Sequence, residues 1–170
     1  MKKRWWQIMA VLRTLLLVRH AKSSWKHSNL DDIDRPLNNR GIRDAPIMGQ
    51  RLLARSLTPD LMVSSPAVRA LATARAIARE VGYPLEAIVV DDELYAAHPD
   101  DVLDVVSAFH DNVQLALVVT HNPAITELAN RFSKSPIENV PTCGILFVEA
   151  SSWSRIDVAT LVDFDYPKKR

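Results

Sequence analysis

The stretch Thr14-Leu-Leu-Leu-Val-Arg-His20 decides the fold. Four aliphatic residues follow Thr14 without a break, and two strongly polar residues end the run. A continuous apolar run this short fits a strand covered on both faces, as in a parallel sheet, better than a half-wet strand, which would alternate. Downstream, Arg40-Gly41 punctuates a loop, and Ile42 to Ser56 shows helical spacing through Ile47, Leu52 and Leu53, with Pro46 near its start. Asp60 to Val63 reads as a second strand. Ser64-Ser65 then offers an N-cap, with Pro66 close to the first helical position, for an alanine-rich helix running to Val81 and closed by Gly82.

The alternation continues. Ala87 to Val90 reads as a strand, Asp100 to Phe109 as a helix, Leu115 to Val119 as a strand and Ala124 to Phe132 as a helix. Gly144 to Ala150 and Arg155 to Phe164 read as two final strands. Strands alternating with helices predict a three-layer α/β/α sandwich around a mainly parallel sheet.

Composition narrows the rest. The chain has 170 residues, which favours one domain, and its 48% apolar content excludes a disordered chain. Residues 14–170 are expected to form that domain, with 1–13 as an N-terminal extension. A formal net charge of +1 gives no general pull toward nucleic acid or an anionic membrane, so any anion recognition is local. The basic, Trp-containing start of the chain is followed by an apolar stretch that Arg13 interrupts. Arg19-His20 ends the next one, too early for a span of about 20 residues, so no membrane insertion is expected. The lone Cys143 excludes an internal disulfide and fits a reducing, cytoplasmic setting.

In open α/β sheets, ligands sit beyond the carboxyl ends of the strands. Arg19-His20 follows the first strand, and Ser64-Ser65 with Arg69 one turn later follows the second. Asp92, Glu93 and Tyr95 follow the third, and His121-Asn122 follows the fourth. Arginine grips phosphate through a fork of donors, and histidine can take a phosphoryl group covalently. The set suits phosphoryl chemistry.

Leu17-Val-Arg-His-Ala21, Ser64-Ser-Pro-Ala-Val-Arg-Ala-Leu-Ala-Thr73 and Val118-Val-Thr-His-Asn-Pro123 resemble, in order, three motifs of the histidine phosphatase superfamily, whose fold is phosphoglycerate-mutase-like. Arg19-His-Ala-Lys-Ser-Ser-Trp25 and the loop Asp34-Arg-Pro-Leu-Asn-Asn-Arg-Gly41 are most similar to its small phosphohistidine phosphatase branch, SixA-like. The resemblance implies a metal-independent phosphatase without a cofactor. His20 is then the nucleophile, and Arg19, Arg69 and His121 hold the phosphoryl oxygens. Larger relatives carry a glutamate proton donor where this chain has Ala96; Glu93 lies nearby and is the substitute candidate. A missing acid favours a phosphohistidine substrate, whose imidazole leaves without help, over an alkyl phosphate.

Lys22 and Ser23 follow the nucleophile and are candidate phosphate contacts. His27 with Asp31, Asp32 and Asp34 matches no standard metal spacing and reads as a solvated acidic loop. His98 and His110 read as helix-end residues, Cys143 as core, and Trp25 and Tyr95 as rim or packing aromatics. The expected partner is a phosphorylated protein or a small phosphorylated molecule. A small-molecule phosphomonoesterase, a phosphate-binding module without turnover and a metal hydrolase built on the two histidines stay open alternatives.

Overall fold

A computed structural model of the chain describes residues 11–26 and 28–168. Most of the N-terminal extension and His27 lie outside them. The apolar run forms β1 (Arg13–Arg19), which starts one residue before it. Then come α1 (Asn39–Ala54), β2 (Leu61–Ser64), α2 (Val68–Val81), β3 (Val89–Val90), α3 (Pro99–Ser107), β4 (Leu115–Thr120), α4 (Ala124–Phe132), β5 (Ile145–Ala150) and β6 (Thr160–Asp165).

The strands form one sheet in the order β3-β2-β4-β1-β5-β6, with the first four parallel and β5 and β6 antiparallel to their neighbours. Successive residues of β1 face opposite layers, which explains its unbroken apolar run. Leu15 and Leu17 pack in one core with Ile125, Leu128 and Trp153; Leu16 and Val18 pack in the other with Met48, Leu52 and Ile77. Helices α1 and α2 cover one face, and α3 and α4 the other, so the layered sandwich stands. Truncating a residue such as Leu17 to Ala in this core costs about 2–5 kcal/mol.

The structure differs from the sequence reading at several ends. Helix α2 begins later, with Ala67 rather than a serine as its N-cap, because Ser64 completes β2 and Ser65 is bound to the site. The third strand shrinks to Val89–Val90, both exposed at the sheet edge, after a 3₁₀ turn over Leu85–Ala87. Helix α3 runs Pro99–Ser107, starting one residue and ending two residues earlier than expected. Arg155 to Val158, expected to begin the last strand, instead belong to a 3₁₀ helix over Trp153–Val158, in which the spacing of three buries both Trp153 and Ile156.

Among the described residues, no helix is long and apolar enough to cross a membrane.

Candidate active site

Sheet order brings the scattered motifs together. β4 lies between β1 and β2, with Arg19 paired to Thr120 and Ser64 to Val119. The residues that follow these three strands therefore converge at their carboxyl ends. His20 N–H donates to Thr120 O at 3.1 Å, and Cys143 N–H, at a positive φ of 64°, reaches the carbonyls of Arg19 and His20. Cys143 is buried and its thiol is pushed up to about 12 by burial, as suits a core residue.

One hydroxyl links two motifs. Thr73, fully buried on α2, accepts the Ala21 N–H at 2.9 Å and donates to Arg69 O at 2.7 Å. The chain after His20 and the helical turn bearing Arg69 are thereby fixed to each other. Gly41 adds a second constraint. A Cβ there would collide with the Lys22 carbonyl, so only glycine lets α1 approach the chain just after His20.

His20 is 9% exposed, and its Nδ1 lies 2.7 Å from Ala21 O. A carbonyl only accepts, so the proton sits on Nδ1 and the lone pair on Nε2, which receives Arg69 Nε–H at 3.4 Å. Burial lowers the His20 pKa to about 4, aided by the charges of Arg69, Arg19 and Arg35 against the Ala21 hydrogen bond. The ring is neutral at neutral pH, with its reactive nitrogen free of a proton.

His121 faces it, with ring centroids 5.0 Å apart. His121 Nε2 lies 2.7 Å from Ser65 Oγ, which already accepts Ala67 N–H. Taking the serine hydroxyl as the donor to His121 Nε2 places the ring proton on Nδ1. That Nδ1 is buried and has no hydrogen-bond partner among the described residues, and the same holds for Arg19 Nε. Burial and the neighbouring His20 and Arg69 bring the His121 pKa down to about 3.

Arg19 Nη1 donates to Val140 O at 2.6 Å and to Asn139 Oδ1 at 3.2 Å. Arg69 pairs through Nη2 with Asp32 Oδ2 at 2.8 Å. Arg35, from the loop between β1 and α1, donates to Asp32 Oδ1 at 2.6 Å and to Ser23 Oγ, and stacks on Trp25 at 3.3 Å. Arg19, His20, Lys22, Ser23, Arg35 and Arg69 line one hollow of about 220 Å³. Three guanidinium groups and one ammonium around the uncharged His20 ring, with the His121 ring beside it, suit a tetrahedral oxyanion held by fixed donors.

The structure thus brings Arg19, His20, Arg69 and His121 together, with Lys22 and Ser23 beside them. It does not bring Glu93 there. Glu93 is exposed on the 3₁₀ turn Asp92–Leu94 and lines neither this hollow nor its neighbour. Asp32 is more than a solvated residue of an acidic loop: half-exposed, it binds Arg69, Arg35 and the Tyr95 hydroxyl, the last at 3.0 Å. Trp25 is 73% exposed at the rim, and Tyr95 meets His121 edge-on at 5.8 Å. His98 caps α3 as expected, its N–H bound to Asp101 Oδ2. His110 lies beyond the end of α3 and contacts Asn112. Among the described residues, no group of three or more His, Cys, Asp or Glu is placed to hold a metal.

Arg35, Asp32 and Ser65 are site residues that sequence reasoning gave no such role. Arg35 stands inside the Asp34-Arg-Pro-Leu segment that marked the branch resemblance, and that was the available signal.

Comparison with known proteins bears on the family and the fold. The histidine phosphatase superfamily (branch 1) matches residues 15–98. An uncharacterized protein of Mycobacterium tuberculosis is 32% identical over 164 residues, covering 89% of this chain and 100% of the relative. A crystal structure from Agrobacterium tumefaciens, of a protein proposed to be the phosphohistidine phosphatase SixA, is 29% identical with a TM-score of 0.76, covering 91% of this chain and 98% of that one. The protein histidine phosphatase SixA complexed with tungstate shares the fold at 20% identity, with a TM-score of 0.79 over 91% and 97% of the two chains. The chain belongs to the histidine phosphatase superfamily, and its architecture is phosphoglycerate-mutase-like. Within that family its structure is SixA-like, and the activity this supports is that of a phosphatase.

Proposed function

We propose that the protein removes the phosphoryl group from phosphohistidine in a partner protein, by way of a phosphohistidine formed on His20. The observation that carries this is the His20 ring: its proton is held at Nδ1 by Ala21 O, while the ring lines a hollow shared with Arg19, Arg35 and Arg69 and has the His121 ring 5.0 Å away.

Nε2 attacks phosphorus in line, the P–Nε2 bond forms, and the bond to the leaving group breaks with its electron pair going to that group. Because Nδ1 keeps its proton, the phosphorylated ring is an imidazolium. The enzyme's own intermediate is therefore already set up to leave when water attacks phosphorus, and the electron pair returns to Nε2. Arg19, Arg69, Arg35 and the His121 Nδ1–H neutralise the equatorial oxygens throughout. These cations supply the charge that a metal ion supplies elsewhere, so no metal enters the scheme.

The leaving group decides the substrate. An alkoxide, whose conjugate acid has a pKa near that of water at about 15.7, needs a donated proton. Imidazole protonated on its far nitrogen leaves as a neutral ring, whose conjugate acid has a pKa of about 6.5. With Glu93 exposed away from the hollow, the second kind fits better. The relative from Agrobacterium tumefaciens supports the same choice. A phosphorylated protein side chain suits a hollow lined on one side by the exposed Trp25, and a chain whose one cysteine is buried suits the cytoplasm.

The test is a substrate panel assayed with excess chelator. Release of phosphate from a phosphohistidine-carrying protein is expected to exceed release from alkyl phosphomonoesters by at least about 10²-fold in kcat/KM. Equal rates on both, or loss of all activity with chelator, overturns the reading.

A further inference from the structure

Arg69 borders two hollows. On one side lies the cationic hollow that holds His20. On the other is a hollow of about 330 Å³ lined by Asp32, Tyr95, Ala97, His98, His121 and Pro123, among others. A phosphoryl group held by Arg69 while attacked from His20 has its leaving group on the side away from His20, and the second hollow, which shares Arg69 with the first but is not lined by His20, offers space for it.

We infer that this second hollow is the leaving-group site, and that Asp32 selects a protonated imidazole there by accepting the N–H on the ring nitrogen remote from phosphorus. The inference rests on the phosphohistidine reading and names the residue that makes that choice. Its logic is already present on the other side of phosphorus, where the His20 ring directs its remote N–H at Ala21 O. A departing imidazole has the same need. Among the residues lining the second hollow, Asp32 is the one carboxylate.

Asp32 also has the capacity. A carboxylate has about four acceptor positions. Arg69 and Tyr95 take two on Oδ2, and Arg35 takes one on Oδ1, which leaves a position on Oδ1. The side chain is 49% exposed, within reach of an entering ligand. Burial pushes its pKa up, but the bonds from Arg69, Arg35 and Tyr95 outweigh this and bring it to about 2, so it is ionised in working conditions. Tyr95, Ala97 and Pro123 add apolar walls suited to a flat ring.

The electrons balance without a further proton. The substrate ring carries phosphorus on one nitrogen and a proton on the other. When the P–N bond breaks, its pair stays on the first nitrogen and the ring departs neutral, still holding the proton that Asp32 received. An aryl phosphate has no such N–H to offer. Asp32 therefore separates the two substrate types.

The experiment compares phosphoimidazole with p-nitrophenyl phosphate in wild type, Asp32→Asn and Asp32→Glu. Asp32→Asn weakens the hold on Arg69 and lowers both activities, but it is expected to lower kcat/KM for phosphoimidazole at least about tenfold further, which is the weight of one charge-assisted hydrogen bond. Asp32→Glu is expected to recover part of that ratio. An unchanged ratio in Asp32→Asn, with phosphoimidazole still turned over, overturns the role of Asp32 and leaves the phosphohistidine reading standing. A wild-type protein that hydrolyses the aryl ester and leaves phosphoimidazole intact overturns both.

Discussion

Arg69 Nε donates to His20 Nε2 at 3.4 Å, so the guanidinium that is to hold the phosphoryl group sits directly at the lone pair that is to attack it. The same guanidinium bonds Asp32 through its carbonyl and its carboxylate. Three fixed bonds define its orientation, and a lysine, with one ammonium on a flexible stem, reproduces none of that geometry. Arg69→Lys is expected to lower kcat/KM by about 10²–10³-fold while the protein stays folded. Steady-state kinetics beside a thermal melt checks this, and a loss below tenfold counts against a directional role for Arg69.

The two site histidines make folding stability depend on pH. In the unfolded chain their pKa lies near 6.5, whereas in the folded protein burial and neighbouring cations hold His20 near 4 and His121 near 3. Between those values the unfolded state binds more protons, so stability falls as the pH drops from about 6.5 toward 4. In buffer without oxyanions, Tm is expected to fall on going from pH 7 to pH 5. His121→Asn should reduce that fall by at least about 2 °C. Identical pH slopes in the two proteins would contradict the burial argument.

Much of this was legible beforehand because the site is built on strand ends. The run Thr14 to Val18 announces a strand buried on both faces, and the residue after such a strand must lie at the sheet's carboxyl rim; that places Arg19 and His20 without coordinates. His121 follows by the same argument from β4. What periodicity does not carry is strand order, which sets β4 between β1 and β2 and so decides which rim residues meet. Asp32 and Arg35 were illegible for another reason. They sit in the loop between β1 and α1, where no periodicity says which side chain turns inward, and a run containing Asp31, Asp32 and Asp34 reads as solvated until Arg69 and Tyr95 are seen binding one of its members. Residues 155–158 misled because they run straight into the apolar stretch of the last strand, while Trp153 and Ile156 anchor a 3₁₀ turn.

Thr73 offers a test of positioning apart from chemistry. Its hydroxyl touches no substrate; it accepts Ala21 N–H and donates to Arg69 O. Thr73→Val keeps the shape and leaves a buried N–H without a partner, at about 1–3 kcal/mol. The expected result is a kcat loss of about tenfold or more with KM changed little, and recovery in Thr73→Ser. Failure of serine to restore kcat, with equal Tm in both variants, would show that the hydroxyl does not set the site.

The central claim is that the phosphoryl group passes through His20. Rapid quenching of turnover into alkaline denaturant, where a phosphorylated imidazole survives, followed by mass mapping of the phosphate, tests it most directly. Wild type is expected to accumulate phosphate on the peptide carrying His20, and His20→Ala is expected to show none, with turnover reduced by about 10⁴-fold. Phosphate mapped to another residue, or full turnover in His20→Ala, would contradict the account.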